Sequence, residues 1–221
     1  MVNHSDEINV EIVQLVDKAL ELSHDEDKLE EEIKTWNEVL ETTNLKGDIK
    51  AIALRSLGLA ILLRYKKFKN LCDLDQAIAF FLECEKVLDS NDSEFCSDPE
   101  IYREIYDRMG EAYTYKFDQS NDMSDLNYAI DYVGMALENS EKQDTYHNEI
   151  VLELMRLLVK LYIEVPDENK SVEDLDKAIE LGENIITVFP EGSKYLSFVM
   201  HALSKSYLQK HGLTNEEEDL E

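Results

Sequence analysis

The sequence predicts an all-α fold built from one pair of helices repeated along the chain. Three observations carry this. Leu, Glu and Lys are abundant while only seven glycines and three prolines punctuate 221 residues, a composition that favours helix over strand. No Asn-Gly or Asp-Gly turn separates alternating apolar residues, so there is no hairpin signal. Third, two segments alternate along the chain at a common period, which is the mark of a repeated two-helix unit.

The first recurring segment is Asp73-Leu74-Asp75-Gln76-Ala77-Ile78, which returns as Asp125-Leu126-Asn127-Tyr128-Ala129-Ile130 and as Asp174-Leu175-Asp176-Lys177-Ala178-Ile179, at steps of 52 and 49 residues. A weaker version, Lys28-Leu29-Glu30-Glu31-Glu32-Ile33, lies 45 residues before the first. The second segment precedes each copy: Leu57-Gly58-Leu59-Ala60-Ile61, then Met109-Gly110-Glu111-Ala112-Tyr113, Leu158-Val159-Lys160-Leu161-Tyr162 and Leu203-Ser204-Lys205-Ser206-Tyr207. Leu15-Val16-Asp17-Lys18-Ala19 fits as a leading member.

These segments place helices in order. Helices over 7–22 and 27–42 carry the leading and weaker copies. A helix over 47–68 carries Leu57-Gly58. Over 73–89, Leu74, Ala77, Ile78, Phe81 and Leu82 form the i, i+3, i+4, i+7, i+8 stripe of a half-buried helix. The helix over 99–117 starts at Asp98-Pro99, an N-cap with proline at the first helical position. Helices follow over 124–139 and over 146–164, the latter stopped by Pro166. Ser171-Val172-Glu173-Asp174 resembles a capping box opening 172–188, which Pro190 ends. A ninth helix over 193–210 closes four pairs.

These residues resemble the tetratricopeptide repeat (TPR) family. Its first helix carries a large apolar residue, glycine and, three further on, tyrosine, as in Met109-Gly110 with Tyr113 and, more loosely, Leu57-Gly58 with Ile61. Its second helix carries small residues seven apart, at the places of Ala77 and Cys84, Ala129 and Ala136, and Ala178 and Ile185. The units here step by 45 to 52 residues against the family's usual 34, and long units of this kind look like those beside NTPase or caspase-like (CHAT-type) domains. The resemblance implies a right-handed α-α superhelix over 1–212 and a protein-binding role. It leaves 213–221, with Glu216-Glu217-Glu218-Asp219, as an acidic tail, a linker or a truncation point.

Net charge is −27, which opposes binding to nucleic-acid phosphates. Residues 1–41 hold thirteen acids and three bases, whereas 46–70 hold seven bases and one acid. The simplest expectation is that these neighbours compensate each other. The N-terminus lacks a secretory pattern, and the apolar stretch 51–63 is interrupted by Arg55 and Ser56 and too short to span a bilayer. Cys72, Cys84 and Cys96 are an odd set twelve apart, unlike a disulfide scaffold or zinc site, and are expected to be free thiols in a cytoplasmic or nuclear setting. The five histidines stand alone, and no phosphate loop, nucleophile elbow or metal loop is present. No enzymatic activity and no cofactor are expected.

The acids that open each helix are read as partners of the helix dipole, Cys84 and Trp36 as core, and the tyrosines of 99–117 as packing residues with hydroxyls at the rim. The family's groove positions carried onto this chain select Ile52, Arg55, Leu59 and Leu62; Glu104, Asp107, Glu111 and Thr114; Glu153, Arg156, Lys160 and Ile163; and Phe198, His201, Lys205 and Leu208. The binding set is Arg55, Leu59, Leu62, Asp107, Glu111, Arg156, Lys160, His201 and Lys205. These bases suggest a groove less negative than its surroundings, suited to an acidic or amphipathic peptide of a partner protein. Val13 and Asp17 stand where chaperone-binding members carry their carboxylate clamp, so that clamp is absent. Two other readings stay open: a cysteine-based redox sensor or small helical enzyme, and a self-associating, homo-oligomeric scaffold.

Overall fold

The computed structural model describes residues 4–23, 25–42, 45, 47–90, 98–140, 149–150, 153–154, 157, 171–188 and 196–214. These residues form helices and no strand. Eight helices have defined bounds: α1 His4–Leu22, α2 Leu29–Leu40, α3 Gly47–Phe68, α4 Cys72–Asp89, α5 Pro99–Ser120, α6 Met123–Glu138, α7 Val172–Val188 and α8 Leu196–Thr214. The expected count of nine is therefore corrected to eight among the described residues. Of 146–164, the described residues Glu149, Ile150, Glu153, Leu154 and Leu157 are helical; the remainder, with Pro166 and Pro190, lies outside the described residues. The closing helix is described from Leu196 and runs through Thr214, past the expected boundary at 212; 193–195 lie outside the described residues.

The capping chemistry is as the sequence implies. The Asp98 carboxylate accepts from the Glu100 backbone N–H at 3.0 Å. Ser171 and Asp174 form a reciprocal box: the Ser171 N–H donates to Asp174 at 2.8 Å and the Asp174 N–H to Ser171 Oγ at 3.1 Å. Asp122 caps α6 through the Ser124 N–H at 2.9 Å. Helix α5 ends where Asn121 adopts the left-handed conformation, φ 53°.

Helices pack with their sequence neighbours: within units α1 on α2, α3 on α4 and α5 on α6, and between units α7 on α8. Successive pairs are joined through α2 against α3 and α4 against α5. Glycine sets the closest approaches. A Cβ on Gly58 would lie 2.6 Å from the Phe81 ring, and one on Gly110 would overlap Val133. Gly110 and Val133 are Gly58 and Phe81 displaced by the 52-residue step, so one packing solution is used twice. At the same places in the fourth unit the sequence exchanges the sizes, Val159 with Gly182; Val159 lies outside the described residues. Ala77, Cys84, Ala129, Ala136 and Ala178 are 0–1 % exposed, as close helix contact requires.

The acids at the helix starts do more than face a dipole. Asp73, Asp125 and Asp174 are 1 %, 9 % and 6 % exposed. Arg64 binds Asp73 through two nitrogens at 2.8 and 3.1 Å. One repeat on, Lys116 stands 3.7 Å from Asp125, which also accepts from Ser120 Oγ at 3.1 Å. Asp174 accepts from Ser171 and from Asn127 Nδ2 at 3.1 Å. Burial works against the Asp174 carboxylate, yet these donors hold it below its ordinary range. The same bases reach back to the preceding unit. Glu30–Arg64 at 3.5 Å, Asp75–Lys116 at 2.9 Å and Asp176–Lys210 at 3.3 Å occupy equivalent repeat positions. At the fourth such position the sequence has Asn127 and Val165, so acid and base are lost together.

Buried side chains gather in two clusters that meet in α5. One runs from Ala19 through Trp36, Leu57 and Phe81 to Ala112. The other runs from Phe117 through Leu126, Leu157 and Ile185 to Leu203. Trp36 is 0 % exposed, in the core as expected. Tyr106 and Tyr113 touch both clusters and stack on Tyr132 of α6 at 6.2 and 5.6 Å.

Candidate protein-binding cleft

Side chains at i, i+3, i+4 and i+7 on α5 share one face. The face carrying Glu104, Asp107, Glu111 and Thr114 forms the floor of a cleft of about 680 Å³. Helix α3 contributes Ile52 and Arg55 to one wall, and Glu149, Ile150 and Glu153 form the other. Three helical segments from successive units therefore share one concavity. Eight carboxylates line it, from Asp98, Glu100, Glu104, Asp107, Glu111, Asp118, Glu149 and Glu153, against the guanidinium groups of Arg55, Arg103 and Arg108.

Those cations are engaged within the chain. Arg55 pairs with Glu104 at 3.4 Å, and its Nε is buried without a hydrogen-bond partner among the described residues. Arg108 reaches Asp107 at 3.3 Å and Glu111 at 2.9 Å, and Arg103 reaches Glu100 at 3.6 Å. Lys66 adds a contact to Glu111 at 2.7 Å. Burial raises the Asp107 pKa above the ordinary carboxylate value; Arg108 opposes the shift, and the nearby Glu111 charge adds to it. Burial pushes Glu111 the same way, but Lys66 and Arg108 prevail and hold it low. Adjacent carboxylates thus sit on opposite sides of their ordinary value, one underpaired and one well paired.

The expected binding set divides. Arg55, Asp107 and Glu111 line the cleft, as do Ile52, Glu104, Thr114 and Glu153. Leu62 is 1 % exposed, a core residue rather than a groove one, and Leu59 is half-buried against the same core. His201 and Lys205 are exposed on α8, away from the cleft. Arg156 and Lys160 lie outside the described residues. Arg103, Arg108 and Tyr115, absent from the expected set, extend the α5 stripe by helical steps from Asp107 and Glu111. On the described walls carboxylates outnumber cations; Arg156 and Lys160, two of the bases behind the expectation of a less negative groove, lie outside the described residues.

The basic island pairs inside the chain, but in both directions. Arg64 and Lys67 reach back to Glu30 and Asp27 at 3.5 and 3.8 Å. Lys50, Arg55 and Lys66 reach forward to Glu83, Glu104 and Glu111. Cys84 is buried, donates to the Ala51 carbonyl at 3.2 Å, and has its thiol pushed up to about 12 by burial. Cys72 is exposed, and Cys96 lies outside the described residues. Among the described residues no group of His, Cys, Asp and Glu is arranged to hold a metal ion. No helix there is long and apolar enough to cross a membrane.

No family model and no curated protein matches the chain. A solved structure, the DHF58 filament, aligns over 95 % of this chain and 97 % of its own at 17 % identity, with a TM-score of 0.38, a likeness too slight to argue from.

Proposed function

We propose that the chain is a TPR-like superhelical interaction module that holds a segment of a partner protein in the cleft between α3, α5 and residues 149–153. The observation that carries this reading is the cleft itself, whose floor and walls come from one face of successive repeat units. Repeat arrays bind through such extended concave surfaces. The excess of carboxylates selects the partner's chemistry: a segment bearing Lys or Arg, attracted at long range and positioned by charge. This replaces the acidic peptide expected from the sequence.

Affinity capture from native extract tests the proposal, comparing the wild type with Glu149→Lys plus Glu153→Lys. Both are cleft residues whose reversal leaves the core untouched. The reading expects captured proteins with Lys- or Arg-rich segments, lost from the variant and weakened by salt. Capture that is identical for the two forms contradicts it.

A further inference from the structure

Glu104, Asp107 and Glu111 stand at i, i+3 and i+7 along the cleft floor, and the chain's own cations are divided unequally among them. Glu104 has Arg55 at 3.4 Å. Glu111 has Lys66 at 2.7 Å and Arg108 at 2.9 Å. Asp107 shares that same Arg108 at a longer 3.3 Å, its one ion pair among the described residues. The residue one repeat step of 52 before Asp107 is Arg55, yet Arg55 pairs with Glu104 instead. The Asp107 side chain is 26 % exposed, so it is half-buried and still open to the cleft.

Its charged surroundings do not make up the deficit. On α5, Arg103 and Arg108 favour its ionised form and Glu111 opposes it; across the cleft Glu149 opposes it too. Glu104 on the same face, Glu153 beside Glu149 and Arg55 on α3 complete the charged lining nearby. With burial as the largest influence, Asp107 is harder to ionise than an ordinary carboxylate. Its charge at neutral pH therefore costs the fold stability, and a residue kept at such a cost is accounted for by what it binds.

The geometry also separates two kinds of cation. Asp107 Oδ2 faces Arg108. A guanidinium using its two-pronged fork needs both carboxylate oxygens and would displace Arg108, whereas an ammonium is a point charge that needs one. Ile52 and Ile150 on the two walls offer apolar surface to the aliphatic stem of such a side chain.

We propose that Asp107 is the specificity-determining residue of the cleft, accepting the ammonium of one partner lysine, with Glu149 on the facing wall, in preference to arginine. This rests on the cleft reading above and adds which residue selects and what it selects.

The test titrates labelled hexalysine and labelled hexaarginine separately into the full chain at low salt. Asp107→Asn is expected to weaken hexalysine about tenfold and hexaarginine by less than about threefold, with thermal unfolding showing the variant folded. Glu149→Gln also weakens hexalysine, and the two changes together cost less than their sum. Wild-type affinity for hexalysine rises with pH in the range above the ordinary carboxylate value, and Asp107→Asn flattens that part of the rise. Hexalysine binding that Asp107→Asn leaves unchanged, but Glu149→Lys plus Glu153→Lys abolishes, overturns this proposal and leaves the cleft reading standing. Equal losses for the two peptides overturn the preference for lysine. Absence of saturable binding to the wild type overturns both readings.

Discussion

Asp73 is 1 % exposed and faces Arg64 at 2.8 Å, while the side chain of Asp75, two residues on, is 72 % exposed. Removing one member of a buried pair leaves the other charge unsatisfied, whereas a solvated pair is worth little. Asp73→Ala is expected to cost about 2–3 kcal/mol, reduced from the fully buried case because Arg64 keeps some water. Asp75→Ala should cost less than about 1 kcal/mol; urea unfolding of the two variants checks the contrast. Asp107 behaves oppositely. Its pKa is raised in the folded protein, chiefly by burial, so its contribution is favourable below the ordinary carboxylate value and is lost as pH rises through the raised one. Asp107→Asn should therefore raise Tm at pH 7, and that gain should shrink as pH falls into the carboxylate range.

At the scale of helices, glycine distinguishes contact from exposure. Alanine is worth about 0.5–1 kcal/mol more than glycine inside a helix, and Gly134 of α6 has nothing within 4 Å of an added Cβ. Gly134→Ala should stabilise by that amount. Gly58→Ala places the same methyl against Phe81, and overpacking of about 1–3 kcal/mol should outweigh the propensity gain. Thermal unfolding of both variants decides whether the first pair of contacts is as tight as the geometry says. The sequence marked Gly58 and Gly110 by recurrence alone, and the helix bounds follow its caps within a few residues. Leu62 escaped correct placement because a helix in an array buries two faces, so a single stripe cannot tell groove from core. The membership of the cleft was only partly legible for a related reason. Arg103, Arg108 and Glu149 are on its walls only because three helical segments converge, a fact of packing that no one segment encodes.

For the whole molecule, the two buried clusters meeting in α5 imply unequal coupling along the chain. Stability in a repeat array is a sum of unit and neighbour terms. Trp36, the one tryptophan, sits in the first cluster and reports on it alone by fluorescence. Leu126→Ala removes a buried side chain of the second cluster, at a cost of about 2–5 kcal/mol. The expected outcome is a larger shift in the unfolding midpoint seen by circular dichroism than in that seen by Trp36. Equal shifts would mean that both clusters unfold together.

Amide chemical shifts test the proposed binding at the cleft most directly. A lysine- and arginine-rich peptide titrated into isotopically labelled chain at low salt is predicted to move amides of α3, α5 and residues 149–153. Glu149→Lys plus Glu153→Lys should abolish those shifts. Perturbations confined to α4 and α6, or no saturable perturbation at all, would contradict the account.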